Sequence, residues 1–107
     1  MNKIKEHLKL KIFVEIKNNT INNAHGINNN NINDFLINPI IEKYISSINN
    51  EEVFEFWTVL KECPDKKEGY LIFYDPDLSM FGLGTYFEDH ILYLGHYKSF
   101  VSALDGM

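Results

Sequence analysis

The chain has 107 residues, which suits one domain and leaves no room for a second. Its 15 acidic residues outnumber its 10 lysines, arginine is absent, and the formal net charge is −5. This balance argues against a nucleic-acid-binding protein, which needs a basic face to contact phosphates. The single cysteine, Cys63, excludes an internal disulfide framework.

Lysines and glutamates interrupt the N-terminal residues throughout, so these residues lack the continuous apolar run of a signal peptide. No segment approaches the ~20 apolar residues that a membrane span requires. We therefore expect a cytoplasmic protein with no membrane partner.

Apolar and polar residues alternate in HLKLKIFVEIK, residues 7–17. A period of two predicts a strand with one buried face, and a helix over the same residues is the alternative. The Asn-rich segment 18–33 follows. It predicts a long polar connection, part of which forms a short helix or a mobile tip.

Two helices are predicted in the centre of the chain. In DFLINPIIEKYISSI, residues 34–48, the apolar residues are spaced like a helix face, and Pro39 fits a first helical turn. In NNEEVFEFWTVLKEC, residues 49–63, Asn50 is the candidate cap of a second helix.

The last third predicts three strands and a helix. The apolar, β-rich runs GYLIFYD, MFGLGTY and ILYLGHYK are separated by short turns, which predicts an antiparallel meander. SFVSALDGM then predicts a short helix capped by Ser99. The predicted fold class is therefore α+β: an antiparallel sheet, made of the N-terminal strand and the three-stranded meander, with two central helices and a short C-terminal helix packed on it.

The stretch YDPDLSMFGLGTYFEDH begins like a calcium loop, because Asp75, Asp77 and Ser79 alternate as oxygen ligands do. Such a loop needs glycine at its sixth position and glutamate at its twelfth. Met80 and Tyr86 occupy those positions. We therefore expect no metal site here.

Gly82 and Gly84 are spaced like the first glycines of a phosphate-binding turn, but the third glycine position is Phe87 and no helix follows. Alternate glycines within a strand more often admit a neighbouring ring or backbone at close range. We expect that role, and no cofactor.

An enzyme that uses His90 with a nearby carboxylate is a minor alternative. Asp89 is adjacent in sequence, but neighbouring residues of a strand point to opposite faces. The serines lack the glycine-flanked context of a nucleophile elbow. The sequence therefore favours a protein that is not an enzyme.

Aromatic residues and carboxylates occur together around the turns of the meander. Such a combination suits a protein interface with a basic partner. The candidate contact residues are Tyr74, Asp75, Asp77, Phe81, Tyr86, Glu88, Asp89 and His90. Among them the acids would supply charge, and three aromatic residues, Tyr74, Phe81 and Tyr86, would be packing anchors.

Three motifs in the last third, FGLGT at Phe81–Thr85, LGHYKSFVSAL at Leu94–Leu104 and the ending DGM, carry a resemblance to a known family. This third resembles small bacterial immunity proteins of contact-dependent growth inhibition and other polymorphic toxin systems. The resemblance implies a cytoplasmic protein that holds a cognate basic toxin domain inactive by stoichiometric binding. Such toxins are often ribonucleases at the C-terminus of a large secreted effector. An interaction module unrelated to toxins is the alternative.

Overall fold

A computed structural model describes residues 3–46, 48 and 52–107, and in it five strands close into a barrel. The elements in chain order are α1 (Lys3–Asn18), a 3₁₀ helix (Ile32–Asp34), β1 (Leu36–Ser46), β2 (Val53–Lys61), β3 (Tyr70–Asp75), β4 (Met80–Phe87), β5 (His90–Tyr97) and α2 (Phe100–Asp105). Consecutive strands pair antiparallel. Because the number of strands is odd, β1 and β5 run in the same direction, and their parallel pairing at Ile45–Leu92 and Ser46–Tyr93 closes the barrel.

The predicted α+β sheet with two central helices is wrong, because both central segments are strands. Residues 34–48 contain β1 and residues 49–63 contain β2. Both segments are rich in β-branched and aromatic residues, which fit a pleated surface. The predicted cap, Asn50, lies outside the described residues.

Pro39 lies within β1 and starts no helix. Leu36 and Ile40 of β1 both pair with residues of β2, but the register of the pairing shifts between them. Proline has no N–H to donate, so it is tolerated in a strand where the ladder is interrupted. The residue taken as a helix start therefore marks a β-bulge or a similar irregularity.

The predicted N-terminal strand is also wrong, because residues 7–17 belong to α1. Leu8 and Ile12 are buried at a spacing of four residues, whereas Leu10 and Val14 are exposed. A strand would have placed all four on one face. The helical alternative is thus the observed one.

The C-terminal prediction is confirmed element by element, since β3, β4 and β5 form the meander and α2 follows. Ser99 caps α2, because its hydroxyl accepts a hydrogen bond of 3.1 Å from the backbone N–H of Ser102. Glu15 of α1 adds a second contact to this helix end. Its carboxylate accepts hydrogen bonds of 3.1 Å from the backbone N–H groups of Phe100 and Val101.

The barrel interior is aromatic. Its buried cluster consists of Tyr44, Phe56, Leu71, Phe73 and Ile91, from four of the five strands. The rings of Phe56 and Phe73 stack with their centroids 4.1 Å apart. The hydroxyl of Tyr44 forms a buried 2.6 Å hydrogen bond with Thr58 Oγ1, so no polar group of this pair is left unsatisfied in the core.

A second core lies between the outer face of the barrel and the helices. It joins Leu8 and Ile12 of α1, Phe100 and Leu104 of α2, and residues of β2, β3 and β4. No helix among the described residues combines the length and the apolar character needed to cross a bilayer.

The Asn-rich segment 18–33 belongs to this second core, since Ile21, Ile27 and Ile32 are buried in it. Its asparagines form local hydrogen bonds: Asn23 Oδ1, for example, accepts from the backbone N–H of Ile27 at 3.1 Å. In this segment, asparagine side chains form the hydrogen bonds with backbone groups that a helix or a sheet would otherwise form. The segment is therefore a packed connection and not only a polar one.

Candidate functional site

The eight predicted contact residues do not share one surface. Asp77 lies in the turn between β3 and β4, whereas Glu88 and Asp89 form the turn between β4 and β5. These turns are at opposite ends of β4, which at ~3.3 Å per residue separates them by roughly 23 Å. The acids therefore form two sites, one at each end of the strand.

Two of the predicted anchors are core residues. Tyr74 is 5% exposed and Phe81 is fully buried, and their rings pack edge to face with centroids 5.1 Å apart. Both belong to the core beneath the helices. A partner could reach them only if that layer opened, so they stabilise the fold and do not form a contact surface.

Asp75 is also buried, and it bonds to a histidine that is not among the predicted contact residues. Its Oδ2 lies 2.9 Å from His96 Nε2, and His96 Nδ1 lies 2.6 Å from the hydroxyl of Tyr93. Burial and the nearby charge of Asp75 raise the pKa of Tyr93. Because both ring nitrogens of His96 are occupied, the three side chains link β3 to β5, and neither nitrogen is free for a substrate.

The register explains how this link forms. Gly82 of β4 pairs with Phe73 of β3 on one side and with His96 of β5 on the other. With no side chain at Gly82, groups from β3 and β5 can meet across β4. The glycine spacing was the only sequence signal for this arrangement, and it does not identify the residues that meet.

The turn between β4 and β5 presents an apolar ring beside two acids. Phe87 is 60% exposed, and Glu88, Asp89 and His90 are exposed with it. Phe87 pairs with His90, so the hairpin has a two-residue loop. Such loops need positive φ angles, and Glu88 has φ 57°. This tight turn holds the three polar side chains and the ring at the tip of the meander.

A hollow of about 360 Å³ lies beside this turn. Its lining residues are Glu42, Lys43, Ile45, Val53, Lys67, Tyr86, Asp89, His90 and Ile91. Three of the predicted contact residues, Tyr86, Asp89 and His90, thus meet at one place. We call this hollow, together with Phe87 and Glu88, the hairpin surface.

Tyr86 is fixed in the hairpin surface by a charged neighbour. Its hydroxyl accepts a 3.0 Å hydrogen bond from Lys61 Nζ, which also lies 3.5 Å from Glu42 Oε2. Burial lowers the pKa of Lys61, but the bond to Tyr86 and the charge of Glu42 outweigh it, so the pKa is raised. Glu42 Oε1 is buried, and no hydrogen-bond partner for it occurs among the described residues.

The sequence analysis missed two exposed apolar residues at the turns of the meander. Leu78, beside Asp77, is 58% exposed, and Phe87, beside Glu88, is 60% exposed. A usable signal existed, because an apolar residue inside or next to a two- to four-residue turn has few neighbours to cover it. The exposed apolar side chains at the turns of the meander are therefore Leu78 and Phe87, whereas Tyr74 and Phe81 are buried.

Within the part of the chain that the structure describes, no three His, Cys, Asp or Glu side chains are grouped closely enough to hold a metal ion. Comparisons with protein-family models, with curated proteins and with solved structures gave no match. The function is therefore inferred from the residues of this chain alone.

Proposed function

We propose that the protein is an immunity protein, which binds a cognate cytotoxic nuclease domain stoichiometrically and blocks its active site or its access to substrate. A ribonuclease domain is the first partner to test. The observation that carries the proposal is the exposed ring of Phe87 beside the carboxylates of Glu88 and Asp89, next to a ready-formed hollow. An aromatic anchor with two carboxylates beside it suits a basic protein surface. The hollow itself is lined by two acids, Glu42 and Asp89, and two lysines, Lys43 and Lys67, so the excess of negative charge lies at the turn.

Charge supports a basic partner. The net charge of the chain is −5, and residues 3–18 hold five lysines against two glutamates, so the rest of the chain is net −8. A nuclease domain must attract a polyanionic substrate and therefore carries a basic surface. Opposite charges of this size steer the encounter of two proteins and increase its rate.

The rigidity of the hairpin surface supports tight binding. The Phe87–His90 pair fixes the turn, and the bond from Lys61 fixes Tyr86. A surface that is already ordered loses less conformational entropy when it binds. The backbone of the turn and the ring of Tyr86 are thus already in place before a partner binds.

Co-expression in bacteria tests the proposal. The partner is the C-terminal domain of the product of the adjacent upstream gene, which we expect to arrest growth alone and to be harmless with this protein. Phe87→Gln should weaken the protection. Phe13→Gln is the matched control, because Phe13 in α1 is exposed to the same 60%. Equal toxicity with and without the protein would reject the proposal.

A titration separates this function from catalysis by His90. A stoichiometric binder gives full protection only when at least one protein molecule is present for each toxin domain. An enzyme that inactivates the toxin gives full protection at far lower ratios of protein to toxin. We expect residual nuclease activity to fall linearly and to end at a 1:1 ratio. His90→Ala should leave that endpoint unchanged, since His90 would only contribute to the contact surface.

A further inference from the structure

The outward face of α1 is apolar, although its inward face is already buried. Leu10, Phe13 and Val14 are 63%, 60% and 46% exposed, while Leu8 and Ile12 are buried. Residues three and four apart adjoin on a helix, so Leu10 adjoins both Phe13 and Val14 and the three form one patch. Phe13 lies at its edge, beside the groove between α1 and β1. We call these three residues the α1 patch. A helix that is apolar on two sides has a second face to cover.

Positive charge outweighs negative charge on the helix that carries the α1 patch, where Glu6 is the exposed acid one turn before Leu10. The lysines of this helix are Lys3, Lys5, Lys9, Lys11 and Lys17. Of its two glutamates, Glu15 is occupied by the first turn of α2. The helix is net +3 in a chain that is otherwise net −8. An occupant of the patch is therefore anionic, and two copies facing each other through α1 would bring like charges together.

We propose that the α1 patch binds an anionic lipid membrane surface. Two observations favour a membrane over an acidic protein. The apolar side chains are flanked by lysines, whose stems can lie along an apolar phase while their charges reach the headgroups. A helix on the outside of a barrel is also convex, and such a surface lies easily on a flat bilayer.

This contact needs no membrane-spanning segment. The expectation of no membrane partner was based on the absence of a signal peptide and of a membrane-spanning segment, and neither point applies to a helix that lies on the surface of a bilayer. The inference does not depend on the proposed immunity function, because Phe13 of the α1 patch and Phe87 of the hairpin surface lie on different elements.

Flotation with vesicles tests the inference. The protein is mixed at low salt with vesicles of phosphatidylglycerol and phosphatidylcholine, or of phosphatidylcholine alone. We expect it to float with the anionic vesicles only. Binding should be lost in about 0.5 M salt, where the Debye length falls to about 4 Å.

Matched variants locate the contact. Phe13→Gln should reduce the partition coefficient about tenfold, since it removes one inserted aromatic ring. Phe87→Gln, which changes an equally exposed ring elsewhere, should not reduce it. Lys9→Gln should reduce binding about fivefold. Lys66→Gln, at an exposed lysine of the β2–β3 turn, should have no comparable effect.

Three outcomes would overturn the inference. The first is a wild-type protein that stays with the soluble fraction, and the second is equal binding to both kinds of vesicle. The third is salt-sensitive binding to soluble polyglutamate without binding to vesicles, which would assign the α1 patch to an acidic protein. A wild-type protein that floats with anionic vesicles but gives no protection against the toxin would leave the membrane inference standing. A wild-type protein that protects but stays with the soluble fraction would leave the immunity proposal standing.

Discussion

Gly84 of β4 lies directly against the ring of Tyr44 of β1: a Cβ atom at Gly84 would be 2.7 Å from Cε2 of that ring. Protein atoms do not pack so closely without something moving. At Gly82, a Cβ would overlap the ring of Phe73 and lie 2.6 Å from the carbonyl oxygen of Gly95. The prediction that these glycines admit neighbouring rings is confirmed, and the two rings fill the barrel in place of side chains from β4.

We expect Gly84→Ala to lower the free energy of unfolding by about 2 kcal/mol, because the added methyl overpacks the barrel interior. Urea denaturation followed by tryptophan fluorescence would measure the change. Combining the substitution with Tyr44→Leu should make the further cost of Gly84→Ala much smaller, since the ring that it meets is gone. An equal cost in both backgrounds would show that the contact with Tyr44 is not the cause.

We expect Glu15→Ala to cost about 2 kcal/mol of stability, because it leaves two backbone N–H groups at the start of α2 without their charged acceptor. Glu6→Ala is the control on the same helix. Its side chain is exposed in the first turn of α1, where a change costs about 0.5 kcal/mol. Thermal unfolding of both variants would test this, and similar losses would argue against the link between α1 and α2.

The parts of the fold that the sequence predicted are those that local signals determine. The meander has short turns between apolar runs, and Ser99 is a cap followed by an apolar helix face. The helix prediction for residues 49–63 was wrong because the apolar residues of this segment fit both a helical period and a strand period. The spacing of a helix face is met by Val53, Phe56, Trp57 and Leu60. The alternation of a strand is met by Phe54, Phe56 and Thr58, which face the barrel interior or its ends. Only the closure of the barrel decides between them.

The candidate site was predicted in part for the same reason. Turn residues such as Glu88 and Asp89 are exposed in any meander, so the sequence located them. The depth of Tyr74 and Phe81 depends on the helices that cover their face of the barrel, and one of them, α1, was predicted as a strand. The bond between Asp75 and His96 depends on strand register, which the sequence did not determine.

We expect stability to fall as the pH rises above about 10, the ordinary pKa of tyrosine. Burial raises the pKa of Tyr44, and burial together with Asp75 raises that of Tyr93. The folded state thus keeps protons that the unfolded state releases, so these contributions are complete below pH 10 and are lost above it.

Urea denaturation between pH 8 and about pH 11 would measure this loss. Tyr44→Phe should make the alkaline slope shallower, although it also costs about 1 kcal/mol at neutral pH by removing the bond to Thr58. An unchanged slope in Tyr44→Phe would contradict the assignment of the alkaline loss to this buried hydroxyl.

The two ends of β4 should differ in their effect on association with the toxin domain. Asp89→Asn at the hairpin surface should slow association about threefold at low salt, since it removes an acid that steers the basic partner. Asp77→Asn makes the same change roughly 23 Å away and should have less effect. Stopped-flow mixing would give both rates. Equal slowing by Asp89→Asn and Asp77→Asn would contradict a contact that is confined to the hairpin surface.

Calorimetric titration of the toxin domain with this protein tests the central claim most directly. We expect one protein per toxin domain, an affinity about a hundredfold weaker for Phe87→Gln because an interface anchor is lost, and a wild-type affinity for Phe13→Gln, whose ring is equally exposed. A Phe87→Gln variant that binds as tightly as the wild type, or a toxin domain that gives no heat of binding at all, would contradict the account.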